Sequence, residues 1–382
     1  MPRLADLIDY PRRLQSGPLN AITDVPGVVV GHSTIERGEG AWRPGEGPFR
    51  TGVTLVAPHT GNLYESKVAA AVHTINGFGK PLGFEQVREL GNIETPIALT
   101  GTLNVPRVAD ALITLAIEEN PHIGVGFAVS GRRGYASVNP VVAETSDGYL
   151  SDLQGRPVGI AEVRAALQEA REGVGKPVTE GAVGAGMGTS CYGWKGGIGT
   201  ASRRLPPMAG VEEPYTVGVL VQTNFGSPEE LTILGVPVGR HLRPPASVGS
   251  AESVVGGSIM IVLATDAPMD SRQLQRLCHR AAFGLARTGS TCHGGSGDFV
   301  VAFSTGLRIP DRPQVVLTTQ PLLYEQPVLN AFATAVVEGV EEAIYNSLLQ
   351  ARTVTGRDGH TRYALPAEQV VALLYRVGKV ML

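Results

Sequence analysis

The stretch that most constrains this chain runs from residue 241 to residue 268. His241–Gly257 carries two prolines among serines and glycines and has little to bury, which is the composition of an exposed linker. Ser-Ile-Met-Ile-Val-Leu follows from Ser258 and reads as a buried strand, closed by a turn at Thr265-Asp-Ala-Pro268. Any fold must therefore set a serine where a linker becomes core. A Ser hydroxyl is a weak nucleophile at neutral pH and needs a base, and a chain's own terminal amine, with a pKa of about 7.7–8.0, can supply one. Ser258 gains such an amine only if the Gly257–Ser258 bond is cut. Its hydroxyl could cut that bond by attacking the Gly257 carbonyl and shifting the acyl group from nitrogen to oxygen, after which water hydrolyses the ester. Glycine at 257 removes the Cβ that would crowd the attack and tolerates a strained backbone. The other reading is an ordinary Gly-Gly-Ser turn before a strand.

With 382 residues, 43% of them hydrophobic, the chain can bury a large core as one large or two intimately packed domains. The net charge is −3 and the basic residues are scattered, so nothing marks a surface for nucleic acid or an anionic membrane. A small polar or peptide-like partner is expected. The 49 glycines are spread rather than repeated, as in tight turns and close backbone approaches. Cys191, Cys278 and Cys292 are odd in number and lack paired metal spacing, so neither disulfides, a zinc site nor any other cofactor is expected, and reduced cytoplasm fits. Met1–Leu19 has no continuous apolar run of a secretory signal, and no stretch approaches the roughly 20 apolar residues of a membrane span.

Along the chain, strand-like runs near 28–35, 51–57 and 97–100 alternate with helical patterns at 83–90, 106–119 and 160–171. His32 and His59 sit at strand ends without metal-spaced partners and read as structural histidines. A strand through Val141 and Val142 meets Glu144, Asp147 and Asp152, with Tyr149 among them; such acids form a solvated turn or bind a cationic group. Gly181–Arg203, with eight glycines in its first nineteen residues, suits a hairpin or wall, and Lys195 precedes its glycines instead of following them as a P-loop lysine does. Tyr215–Asn224 is a buried strand. Asn224, where it runs out, could donate to an oxyanion or simply form a turn. Ser271–Arg287 has one apolar face that includes Cys278, and 327–350 and 368–375 are further helices. Ser296 and Asp298 alternate with glycine before another strand, so both side chains point to one side and could form a relay to a nucleophile, or else a polar turn. Cys292 and His293, adjacent in an extended chain, point apart and do not read as a catalytic pair.

Pro18-Leu-Asn-Ala-Ile-Thr-Asp-Val, Val141-Val-Ala-Glu-Thr-Ser-Asp-Gly, Lys195-Gly-Gly-Ile-Gly-Thr-Ala-Ser-Arg, Gly257-Ser-Ile-Met-Ile-Val-Leu-Ala-Thr-Asp-Ala-Pro and Gly295-Ser-Gly-Asp, in this order and spacing, resemble the L-aminopeptidase/D-esterase family. These are the DmpA-like aminopeptidases of peptidase family S58, which include β-peptidyl aminopeptidases. The resemblance implies an α/β (α+β) fold, a four-layer αββα sandwich like that of N-terminal nucleophile hydrolases but with DmpA-type connectivity. It also implies self-cleavage into an α chain, 1–257, and a β chain, 258–382, that share one compact domain, and assembly of αβ units into a tetramer. Carried over by position, Ser258 is the nucleophile, Asn224 part of the oxyanion hole, and Ser296 and Asp298 the supporting serine and carboxylate. Some relatives have Glu in place of Asp298, one methylene longer. Glu144 would hold the substrate's ammonium group, and Tyr149 is a further substrate-binding candidate.

The function these readings converge on is a self-processing serine aminopeptidase acting on peptides, amino-acid amides or esters through an acyl-enzyme on Ser258. The base is either the Ser258 α-amine or the Ser296/Asp298 relay. Two alternatives remain: an amidase or esterase of another small amine-bearing substrate, of D-amino-acid or β-peptide type, and an uncleaved homologue that only binds or assembles.

Overall fold

Ser258 belongs to a strand whose residues alternate between two apolar layers. In this computed structural model, which describes residues 1–125, 136–208, 213–247, 257–311 and 325–377, that strand spans Gly257–Thr265. Met260, Val262 and Ala264 face one layer, and Ile259, Ile261 and Leu263 face the other. Such a strand needs cover on both sides, and the fold supplies a second sheet on one side and helices on the other.

The strands, numbered along the chain, are β1 (Val29–Arg37), β2 (Phe49–Ala57), β3 (Ser66–Gly77), β4 (Asn92–Ile93), β5 (Ile97–Gly101), β6 (Val141–Thr145), β7 (Ser190–Cys191), β8 (Trp194–Lys195), β9 (Ile198–Arg204), β10 (Thr216–Asn224), β11 (Gly257–Thr265), β12 (Ser296–Pro310) and the short pair β13 (Val354–Thr355) and β14 (Thr361–Arg362). One sheet has the order β1-β2-β5-β6 and the other β4-β3-β12-β11-β10-β9. Pairing is antiparallel except between β5 and β6 and between β11 and β12. The facing surfaces bury Val56, Ile97 and Leu99 against Val72, Leu220 and Met260. Helices α1 (Val105–Glu119) and α2 (Ile160–Glu172) cover the outer face of the four-stranded sheet through Val108, Leu112, Val163 and Ala166. Helices α3 (Ser271–Arg287) and α4 (Glu325–Leu349) cover the outer face of the six-stranded sheet through Leu274, Leu277, Phe332 and Val340. The result is the expected αββα sandwich.

Local chemistry explains the elements that frame β11. Helix α3 starts where Asp270 accepts the Gln273 N–H at 2.7 Å while the Gln273 side chain accepts the Asp270 N–H at 3.1 Å, a capping box. The glycine-rich stretch 181–203 forms the short hairpin β7–β8 and then β9, on which α4 lies. Buried Arg203 on β9 donates to Glu338 at 3.1 Å and Glu342 at 2.5 Å on α4, an ion pair that fixes the register of helix on strand. The final helix, expected at 368–375, spans Ala367–Arg376. Of the linker read at 241–257, residues 248–256 lie outside the described residues. Among the described residues, no helix is long and apolar enough to cross a membrane.

The six-stranded sheet draws β10 from before the Gly257–Ser258 bond and β11 and β12 from after it. The chain on both sides of that bond therefore contributes strands to one sheet, four from before it and two from after. Packing of α4 on β9 depends on Gly199, where an added Cβ would come within 1.9 Å of the Ala343 carbonyl oxygen. Gly199→Ala must push the helix outward and is expected to cost at least about 1–3 kcal/mol, as overpacked cores do. A urea-unfolding midpoint equal to that of the wild type would show that this contact does not set the helix position.

Candidate active site

Three strand ends meet at one rim of the six-stranded sheet. Antiparallel pairing of β10 with β11 sets Asn224 opposite Ser258, and parallel pairing of β11 with β12 sets Gly257 opposite Ser296 and Ser258 opposite Gly297. Ser258 is buried, and its hydroxyl has no hydrogen-bond partner among the described residues. It shares the side of β11 taken by Met260 and Val262, so it points into the layer between the sheets. Gly257 is glycine here because of close approach: an added Cβ would lie 3.0 Å from Phe225 Cα and 3.2 Å from Ser296 Oγ.

Asn224 is oriented by its surroundings. Its Oδ1 accepts the Ser190 backbone N–H at 2.9 Å. A backbone N–H can only donate, so the oxygen is spoken for and the side-chain NH₂ is the part left to meet an acyl oxygen. Ser190 is fixed in turn. Its Oγ accepts from Arg362 Nε at 2.9 Å, and the Arg362 guanidinium lies 3.5 Å from the centroid of the Tyr149 ring. Tyr149 stacks on His360 at 4.7 Å, and its hydroxyl is 2.9 Å from Ser247 Oγ. The Lys195 ammonium, fully buried, donates to the carbonyls of Gly186, Thr189 and Gly196 at 2.7–2.9 Å and so pins the loop that presents Ser190. Three acceptors match its three donors, while burial pulls its pKa well down. Sequence reading missed Ser190 and Arg362. Ser190 lies in the glycine-rich stretch read as a hairpin but nothing local marks its side chain, and the contact joins that hairpin to the short strand Thr361–Arg362, which only the fold brings beside it.

Ser296 donates to Asp298 Oδ1 at 2.6 Å, as their shared side of β12 implies. Asp298 Oδ2 is buried without a partner, and burial raises this carboxyl above its ordinary value despite the Ser296 bond and the nearby Cys292 thiol and Ile259 amide. The relay is not aimed at the Ser258 hydroxyl. Ser296 and Asp298 share the side of β12 occupied by Val300 and Ala302, toward the helices, whereas Ser258 faces the opposite side of the sheet. What the pair adjoins is the backbone at Gly257 and Ile259.

The acidic run is buried, not a solvated turn: Glu144, Asp147 and Asp152 are each 5% exposed or less. The end of β6 packs across the layers on β11. There Glu144 Oε1 accepts the Lys80 backbone N–H at 3.2 Å and lies 3.5 Å from the half-exposed Lys80 ammonium, which also donates to Thr102 at 2.5 Å. Asp152 organises a loop by accepting from Trp42 Nε1 and from the N–H groups of Gly45, Gly47 and Gln154. Asp147 has one oxygen without a partner, and burial pushes its pKa up to about 6.

His32 is structural. Its Nδ1 is 2.9 Å from Thr54 Oγ1, and burial drives its pKa down to about 4. His59 bonds the Ser66 carbonyl at 2.8 Å. Cys278 is core, and Cys292 and His293 engage different neighbours, Asp298 and Glu230. Among the described residues, no group of three or more His, Cys, Asp or Glu side chains is arranged to hold a metal ion. A cavity of about 570 Å³ beside α1 and α2, lined by Tyr64, Leu112 and Asn120, contains none of the residues named at the rim.

Asp147 makes a pH test possible. Its carboxyl binds its proton more tightly in the folded chain than in the unfolded one, so its stabilising contribution is present below about pH 4 and is lost as pH rises through about 6. Asp147→Asn removes that loss. Relative to wild type, the variant is expected to gain up to about 3 kcal/mol between pH 4 and pH 7. Urea midpoints of both proteins across that range check it, and parallel curves would contradict the assignment.

Comparison with known proteins bears on this arrangement. The family model described as peptidase family S58 matches residues 20–362. The chain is 39% identical over 384 residues to a β-peptidyl aminopeptidase, BapA, of Sphingosinicella xenopeptidilytica, covering 98% of this chain and 91% of that protein. Among solved structures, a β-aminopeptidase from a Burkholderia species aligns at TM-score 0.85 and 39% identity over 99% of each chain. The L-aminopeptidase D-Ala-esterase/amidase of Ochrobactrum anthropi, described as a prototype for the serine aminopeptidases and a variant of the Ntn hydrolase fold, aligns at TM-score 0.88 and 35% identity over 100% of each chain. With a family match from residue 20 to residue 362 and the same layered fold in both neighbours, the chain belongs to peptidase family S58 and is a hydrolase of aminopeptidase type.

Proposed function

We propose that this chain cuts its own Gly257–Ser258 bond and then works as a serine aminopeptidase with Ser258 as nucleophile. The observation that carries the reading is the pairing of Asn224 with Ser258, in which the Asn224 oxygen is held by Ser190 and its NH₂ remains to donate. In the uncut chain, Ser258 Oγ attacks the Gly257 carbonyl, and the developing oxyanion is stabilised by donors such as Asn224. Collapse breaks the C–N bond, gives an ester and frees the Ser258 amine. Water then hydrolyses the ester, leaving an α chain ending at Gly257 and a β chain starting at Ser258. The αβ units then assemble into an oligomer, as a tetramer on the family pattern.

In turnover, the substrate's ammonium group meets Glu144, a buried carboxylate, in place of the half-exposed Lys80 ammonium, whose 3.5 Å contact with Glu144 is longer than its 2.5 Å bond to Thr102. Ser258 attacks the substrate carbonyl, and the amine or alcohol leaves with a proton. Water then releases the acyl group. The α-amine is favoured as the base over Ser296/Asp298, because those two face away from the Ser258 hydroxyl and adjoin the backbone from which the amine emerges. Tyr149 enters as the platform for Arg362, and through Ser190 it steadies Asn224. Relatives named for β-peptides, L-amino acids and D-Ala esters make the substrate class an acyl compound with a free amine near its carbonyl.

Denatured mass tests the first step. Wild type should yield two species that sum to the full chain plus one water, with the smaller beginning at Ser258. Ser258→Ala should remain one species with no turnover. A single full-length mass for wild type would instead favour the uncleaved binding homologue. In the processed enzyme, Asn224→Ala should lower kcat by roughly 10²–10³, the cost of one oxyanion donor. An unchanged kcat on an aminoacyl amide would remove Asn224 from the mechanism.

A further inference from the structure

Resting on this self-cleavage reading, we infer that His293, held by Glu230, is the general base for the water that hydrolyses the Gly257–Ser258 ester. The geometry points to it from the side of the sheet that Ser258 does not use. A small cavity of about 10 Å³, about the space one water needs, is lined by Phe225, Gly226, Gly257, Ser290, His293 and Ser296. It touches the residue whose carbonyl must be attacked. Its polar lining residues, Ser290, His293 and Ser296, can hold a water there.

The histidine is built in rather than incidental. Its Nε2 lies 2.7 Å from Glu230 Oε1. Glu230 is itself fixed, because its Oε2 accepts the Ser227 N–H at 2.7 Å in the short turn Pro228–Glu230. A carboxylate accepting from Nε2–H sets the tautomer and leaves Nδ1 as the acceptor, which is the role a base needs. Nδ1 has no partner among the described residues. The His293 backbone is anchored as well, since its carbonyl accepts the Ser296 N–H at 2.7 Å and the Asn76 side-chain amide at 3.1 Å. The other ionisable groups nearby are Asp298, hydrogen-bonded to Ser296, and the Cys292 thiol, which burial and Asp298 push up to about 11 and so keep protonated.

The step balances. After the acyl shift, the Gly257 carbonyl carbon is esterified to Ser258 Oγ. Water adds to that carbon while His293 Nδ1 takes one of its protons. The C–O bond to Ser258 Oγ breaks, and the imidazolium returns the proton to Oγ. Products are the Gly257 carboxyl group, which ionises to solvent, and a Ser258 with free hydroxyl and free amine. One water is consumed.

The test follows cleavage of freshly made full-length protein by denatured mass, with and without hydroxylamine. Hydroxylamine attacks esters directly and needs no base from the protein. His293→Ala is expected to slow cleavage by roughly 10²-fold, the low end of general-base catalysis. It should also accumulate ester, so that hydroxylamine restores rapid cleavage and leaves a hydroxamate on Gly257. Glu230→Gln should do the same more weakly, and His293→Asn stands in if the alanine variant does not match the circular dichroism of Ser258→Ala. Cleavage at the wild-type rate, or slow cleavage that hydroxylamine does not speed, overturns the proposal. If wild type itself stays intact, it is the self-cleavage reading that fails, and the two failures are told apart.

Discussion

Everything at the rim depends on β11 being a central strand with one parallel and one antiparallel neighbour. Antiparallel pairing brings the end of β10 beside the start of β11, and parallel pairing brings the start of β12 to the same place. Asn224, Ser258 and Ser296 thus meet through backbone register rather than through flexible loops. A one-residue slip would turn Ser258 toward the helices and Ile259 into the layer between the sheets. Burial on both faces forbids that slip, because Ile259 and Ile261 are committed to one layer and Met260 and Val262 to the other.

Polar groups are then fixed by a chain of contacts that ends well away from Ser258. His360 and Tyr149 stack, Arg362 lies over Tyr149, Ser190 accepts from Arg362, and Asn224 accepts from Ser190. Each link removes a freedom from the next, and the last removes the freedom of the Asn224 amide to flip. Lys195 works on the same loop from beneath, with three carbonyls converging on one buried ammonium. In a low-dielectric site such a network is worth having only if it is nearly satisfied. Among the buried side-chain atoms left without a partner in the described residues are one oxygen of Asp147 and one of Asp298.

Much of this was legible in the chain. The continuous apolar run Ile259–Leu263 predicts a strand buried on both faces, the spacing of Leu274, Leu277 and Leu285 predicts the helix over it, and Gly-Ser at the strand mouth draws the eye to Ser258. Ser296 and Asp298, two apart, predict their own hydrogen bond. What sequence could not supply is which side of the sheet each residue serves relative to another strand. Two serines on adjacent parallel strands look like partners in a list of motifs, yet Ser258 and Ser296 face opposite layers. The carboxylates Glu144, Asp147 and Asp152 misled for a related reason. A polar run after a strand is usually solvated, but here a second sheet and the 45–47 loop close over it. Arg362 and Ser190, 172 residues apart, carry no local signal at all.

The division of the rim into two sides has a chemical logic on the self-cleavage reading. A serine that must attack its own backbone and later a substrate works from the layer between the sheets, where the end of β6 with Glu144 packs across on β11. The first acyl group it carries is its own chain, which departs through Gly257, whose neighbours are Phe225 and Ser296. Water for that single event can come from behind without entering the substrate's space. Once the bond is cut, nothing in the sheet need move, because β10 and β12 still clamp β11 along its whole length. The new amine emerges in that clamp one residue before Ile259, which pairs with Asp298, a carboxyl that burial holds above its ordinary value. Burial favours the neutral form of an amine just as it favours the neutral form of an acid. A neutral amine is the form that can take a proton from Ser258, so the same burial that makes β11 a core strand also readies its first residue.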